Sequence, residues 1–178
     1  MTDLELFKKF MQTEADTSWI GLGRIRSPEQ ATPYFCDPIG FREFAGLEVD
    51  GIRYGFIDGF GETVFVVNPL PPEDEYVCPI ARNFEDFLRL VLACKNANSF
   101  DQMIWMDREQ YERLQEQTVR DLPEESAQAL NTIQEEFGLE PMPNPFDYVK
   151  RLQKEFDPSV LQFSDEYYDT LGLELPER

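Results

Sequence analysis

The chain contains no histidine, and that one absence removes more chemistry than any motif present supplies. Serine and cysteine nucleophiles activated by an imidazole base cannot be built, and zinc sites with imidazole ligands are excluded. Cysteine is scarce: Cys36, Cys78 and Cys94 form no CxxC pair, cannot make a four-thiolate site and cannot all pair with one another. No GxxxxGK[ST] or GxGxxG is present, so nothing supports a glycine loop cradling phosphate. No apolar run approaches the roughly 18 residues of a membrane span. Positive charge is the remaining shortage, with 16 Lys and Arg against 35 Asp and Glu, a net charge of −19.

What is there is a sizeable core and a strongly acidic surface. The 178 residues are 42% hydrophobic and 13% aromatic, with 15 Phe, enough for one domain to fold without disulfide staples. The opening MTDLELFKKF lacks the basic-then-apolar layout of a signal peptide, so the expectation is a cytoplasmic protein with reduced thiols. An acidic surface repels nucleic-acid phosphates and attracts basic proteins. A charge that serves solubility alone is the plainer reading.

The pattern along the first half is that of an α+β module. Thr2 and Glu5 have capping-box spacing ahead of Leu4, Phe7 and Met11, with Phe10 alongside. Trp19 to Ile25 alternates weakly and reads as a strand, and Ser27-Pro28-Glu29 reads as a short helical turn. Pro33, Pro38 and Gly40 break the chain before Phe41-Arg42-Glu43-Phe44. GIRYGFIDGFGETVFVV then reads as a hairpin, with Ile52, Tyr54 and Phe56 on one face and Arg53, Gly55 and Ile57 on the other. Asp58-Gly59-Phe60-Gly61 supplies the positive φ of its turn. The unbroken VFVV predicts a central strand covered on both faces, and NPLPPEDE a surface loop. YVCPI is a further short strand. Asn83 caps a helix whose Phe84, Phe87, Leu88, Val91 and Leu92 form one apolar stripe.

The second half carries no strand signal. Asp107 with Gln110 opens a helix bearing the opposite-charge i, i+4 pairs Arg108–Glu112, Glu109–Arg113 and Glu116–Arg120. Leu130, Ile133 and Phe137 stripe a helix ended by Gly138. Asn144-Pro145 with Asp147 restarts one through Phe146, Val149, Leu152 and Phe156, and Asp157-Pro158 stops it. Ser164 to Leu171 is the last. From Met106 onward there are 18 acidic and 7 basic residues, a net of −11 out of −19. The predicted organisation is an α+β domain over residues 1–115, with a central, mostly antiparallel sheet and flanking helices. An acidic α-helical extension, 116–178, packs on it.

Few residues suggest a site. Asp50, Asp58 and Glu62 surround the hairpin turn, where Ca²⁺ or Mg²⁺ would want several oxygens; the spacing matches no EF-hand loop, and an ordinary acidic turn is the expectation. Glu73, Asp74 and Glu75 sit in the proline-rich loop as a recognition patch for a basic partner or as a solvated loop. Cys94 falls on the buried side of its helix, with only Lys95 nearby to activate a thiolate, and is expected to be a core thiol. Trp19 and Trp105 are expected to pack. No catalytic residue, metal ligand or cofactor is assigned.

FREFAG (Phe41 to Gly46), the hairpin GIRYGFIDGFGETVFVV and the closing PIARNFEDFLRLVL together resemble the SUKH superfamily, over roughly Trp19 to Leu114. That superfamily contains bacterial immunity proteins of polymorphic toxin systems and a fungal regulator of cell-wall synthesis. The resemblance implies a binding protein without catalytic residues, whose partner is a toxin, often a basic nuclease. Glu73, Asp74, Glu75, Asp58 and Glu62 are then the expected partner contacts. Two other classes stay open: a scaffold or regulatory module of the same fold, and a carboxylate-dependent hydrolase or metal enzyme.

Overall fold

The computed structural model describes residues 2–23, 33–46, 51–72 and 75–176. Helix α1 (Asp3–Phe10) and a 3-10 turn (Thr17–Ile20) precede four strands, β1 (Phe41–Gly46), β2 (Arg53–Ile57), β3 (Val64–Val67) and β4 (Val77–Ala81). Helices α2 (Phe84–Cys94), α3 (Asn98–Trp105), α4 (Arg108–Arg120), α5 (Glu124–Phe137), α6 (Pro145–Glu155) and α7 (Asp165–Leu171) follow. A second 3-10 turn (Pro158–Val160) lies between the last two. The strands pair antiparallel in sequence order, so the protein is α+β with a helical C-terminal part. Pro79, which cannot donate to a ladder, falls in β4, an edge strand where its missing N–H is tolerated.

The alternation along β2 divides the interior into two cores. Ile52, Tyr54 and Phe56 face the larger one, between the sheet and α1 to α6, while Ile57 faces a smaller one on the opposite side. Every residue of β3 is buried, as a strand covered on both faces requires. Phe44 is an extra residue in β1, inserted between Glu43, which pairs with Gly55, and Ala45, which pairs with Tyr54. This bulge lets both Phe44 and Ala45 enter the larger core and leaves Glu43 on the other face. Phe44, Phe84 and Phe87 pack edge-on or stacked with centroids 5.3–5.8 Å apart, at the centre of an aromatic cluster that includes Phe7 and Phe56. Such pairs add about 0.5–1.5 kcal/mol each beyond area burial.

Most helix ends follow local chemistry. Thr2 and Glu5 close a reciprocal capping box on α1, as do Asp107 and Gln110 on α4. The Asn83 side chain accepts from the Asp86 N–H at 2.8 Å, and Gly138 ends α5 with φ 64°. Three expectations need correction. Leu4 is exposed, whereas Phe7 and Met11 are partly buried against the larger core; the fully buried side chains are Leu6 and Phe10, because the sheet, α2 and α5 approach that flank. Trp19 and its neighbours form a 3-10 turn capped by Asp16 and not a strand, with the Gly21 N–H donating to the Ser18 carbonyl. Arg108 reaches across to Asp147 on α6 instead of along its own helix to Glu112. The Ser27-Pro28-Glu29 turn and Asp50 lie outside the described residues.

The C-terminal helices share the larger core: Ala129, Leu130, Ile133, Phe137, Phe146 and Val149 all join it. The change of character near Glu116 falls inside α4. Past α6 the chain crosses to the other face of the sheet, where Phe156, Leu161, Phe163 and Tyr167 cover Phe65, Val67 and Ile57. The three thiols are free and buried, and loss of hydration pushes Cys36 up to about 11 and Cys78 and Cys94 each to about 12. Cys94 is a core thiol, set 3.7 Å from the Tyr111 hydroxyl.

Candidate functional site

The acidic residues singled out in the sequence are dispersed. Asp58 and Glu62 share the β2–β3 turn, where Gly59 and Gly61 take φ of 91° and 64°. Asp58 is exposed and engaged by Arg42 at 3.1 Å. Glu75 is exposed at the opposite end of β3, where it accepts from the Cys78 thiol at 3.8 Å. Glu73 and Asp74 lie outside the described residues. Among the described residues, no three Cys, Asp or Glu side chains stand together at metal-holding distance.

A different set of residues converges on the small-core side of the sheet. The segment 33–40 folds over the start of β2, and the Asp37 carboxylate accepts from its own loop at the Tyr34 N–H, 2.9 Å away. The same carboxylate grips Arg53 with two parallel hydrogen bonds, one of them 2.8 Å long from Nη1. Arg53 also donates from Nε to the Gly51 carbonyl at 3.3 Å, and its Nη1 lies 3.8 Å from Glu43 Oε2. Arg53, Asp37 and Glu43 keep only 5%, 13% and 4% of their side-chain surface. The guanidinium is stacked 4.2 Å from the Tyr34 ring centroid and 5.6 Å from that of Phe41. Gly55 makes room for this arrangement: a Cβ there would meet the Phe41 ring at 2.6 Å and the Arg42 carbonyl at 2.4 Å.

Above this cluster two clefts open on either side of Ile39. One, of about 350 Å³, is lined by Tyr34, Asp37, Glu43 and Arg53 and closed by Ser164 and Glu166 at the start of α7. The other, of about 650 Å³, is lined by Leu161, Phe163, Asp165, Tyr168 and Pro176. The ridge between them is pinned by main chain, with the Ile39 N–H donating to Gln162 O at 2.7 Å and Pro38 bridged to Phe163. Ile39 is 59% exposed and Tyr34 46%, so the rim is apolar while the depth of the first cleft is charged.

None of these residues was singled out from the sequence as a site. Arg53 was assigned to the correct face of its strand, and that was the available signal: a charge among residues facing inward must find partners. Which partners it finds depends on how 33–40 folds over the start of β2, which pattern alone does not set, while the return of the chain at 158–168 shapes the cleft above them.

A scan against protein-family models, a search of curated proteins and a search of solved structures each returned no match. Among the described residues, no helix is long and apolar enough to cross a membrane.

Proposed function

We propose that this protein is a non-catalytic, cytoplasmic binding protein of the SUKH type, an immunity protein that neutralises a basic, nuclease-type toxin by occupying its nucleic-acid surface with carboxylates. The observation that carries this reading is how the scarce positive charge is used. Arg42, Arg53, Arg82, Arg89, Arg108 and Arg113 each hold a carboxylate of the chain itself. The acidic surplus is thereby left facing solvent, at Glu112 and Glu116 on α4, Glu124, Glu125 and Glu135 on α5, and Glu166 and Asp169 on α7. A field of one sign steers a basic partner and repels nucleic acid from the same surface. The resemblance of FREFAG, the hairpin and the capped α2 to the SUKH pattern supplies the partner class.

The test is capture by the tagged protein from lysate of its source organism, washed at roughly 0.1 M and 0.5 M salt, because exposed charge attraction weakens over that range. The expected result is one basic protein, encoded beside this gene, retained at the lower salt and depleted at the higher. Retention of a neutral or acidic partner that is indifferent to salt would favour a scaffold role instead.

A further inference from the structure

We infer that residues 157–176 form a strap that lifts off the sheet as one unit while the larger core stays folded, alternately covering and baring the small-core face of β2 and β3.

The strap brings little of its own into the interior. Phe156, just past the end of α6, packs on Phe65 with centroids 5.5 Å apart. From Asp157 to Pro176, Leu161 is the one buried residue, and neither the 3-10 turn Pro158–Val160 nor α7 buries a side chain. Val160, Leu173 and Leu175 are more than half exposed. Helices α5 and α6, by contrast, send Ile133 and Val149 fully into the larger core. Apolar stabilisation scales with the area removed from water, so the strap is held less firmly than the helices before it.

The way it is held makes its release concerted. Main chain ties it to the 33–40 loop, where the Ile39 N–H donates to the Gln162 carbonyl at 2.7 Å and Pro38 is bridged to Phe163. Phe163 in turn stacks on Tyr167 with centroids 4.0 Å apart, and Tyr167 meets Tyr76 edge-on at 5.9 Å. Within the strap, the Leu161 N–H donates to the Pro158 carbonyl at 3.1 Å and the Leu173 N–H to the Tyr168 carbonyl at 2.9 Å. A single turn and a seven-residue helix do not persist alone in water, so these bonds last only while the strap is docked. Asp157-Pro158 is the hinge, because α6 has already ended and the proline has no N–H to continue it. Beneath the strap lie Ile57, Phe65 and Val67, each 2% exposed or less. Opening brings this apolar face to water, while the stripes of α2, α5 and α6 stay packed on the opposite face.

The experiment is native-state amide hydrogen exchange on the full chain, resolved by residue. Leu161 and Leu173 report from inside the strap, and Ile39 reports from across it, since its exposed residue keeps a protected N–H only through Gln162. The expected opening constants of these three amides agree within about threefold and exceed those of Val91 and Leu92 in α2 by at least about a hundredfold. Phe163→Ala should raise all three together by about tenfold. Ile133→Val, in the larger core, should raise those of Val91 and Leu92 about fivefold and leave the three unchanged, because strap opening does not unfold that core. Equal acceleration of the strap and α2 amides by Ile133→Val would overturn the inference, since the strap would then open only with the whole protein. So would Phe163→Ala accelerating Leu161 and Leu173 but not Ile39, which would leave no common unit.

Discussion

Replacing Arg53 with methionine keeps much of the stem volume but removes the guanidinium that two nearly buried carboxylates share. Asp37 loses both of its parallel hydrogen bonds, and Glu43, only 4% exposed, loses a cation 3.8 Å away. Tyr34 and Phe41 lose the cation that stands over their rings. Breaking a buried pair from one side costs about 3–5 kcal/mol, because the stranded charge keeps its desolvation penalty. For a chain of this size that corresponds to a fall in Tm of roughly 6–20 °C. Urea unfolding at pH 7 should show the midpoint moving down with an unchanged slope, the mark of lost stability without a change in compactness. Combining Arg53→Met with Asp37→Asn and Glu43→Gln leaves no stranded charge and should restore at least half of the loss. A single-variant cost below about 1 kcal/mol, the range of exposed pairs, would refute the reasoning. So would a triple variant no more stable than the single one.

Phe87→Ala, at the meeting of Phe44, Tyr54, Phe84 and Phe100, should cost about 3–5 kcal/mol by denaturant unfolding. Asn83→Ala removes the side-chain acceptor that caps α2 and should cost about 1 kcal/mol, while Asn83→Ser should cost a few tenths. The thiols supply a pH dependence. In the folded state they stay protonated above the ordinary value of 9.0, up to about 11 for Cys36 and about 12 for Cys78 and Cys94. The unfolded chain releases those protons first, so the stabilisation is fully present below pH 9 and is lost as pH rises from there towards 12. The loss is up to about 1.4 kcal/mol per pH unit for each fully buried thiol. Ellman's reagent at pH 8 should label the native protein slowly and all three thiols at once in denaturant. Millimolar Mg²⁺ or Ca²⁺ should leave Tm unchanged; a rise that tracks metal concentration would instead favour the metal-enzyme class.

What could be read from the chain was the part decided by neighbours in sequence. Asn83 with the Phe84–Leu92 stripe, the two faces of the hairpin, the fully covered VFVV strand and the Gly138 stop each rest on residues a few positions apart. Helix α3 was not foreseen because its first turn has no side-chain cap, Ala97 standing where Asn or Asp would signal a start. The buried flank of α1 depended on which side the sheet and α5 would approach, so Leu4 and Leu6 could not be told apart by period alone. The candidate site was the least legible. Arg53 meets Asp37 and Glu43 through a loop crossing and a β-bulge, and Glu166 arrives from the far end of the chain. Asp58 and Glu62 in the hairpin turn and Glu75 in the proline-rich loop stand where the sequence places them, at the two opposite ends of β3.

The most direct measurement is a titration of this protein into the basic protein captured at low salt, following that protein's own nuclease activity. The account predicts that activity disappears at one equivalent in about 0.1 M salt and returns in part near 0.5 M, as screening weakens the carboxylate surface. Undiminished activity in a saturated complex would contradict it, since a partner bound without being blocked is a partner of a scaffold and not the target of an immunity protein.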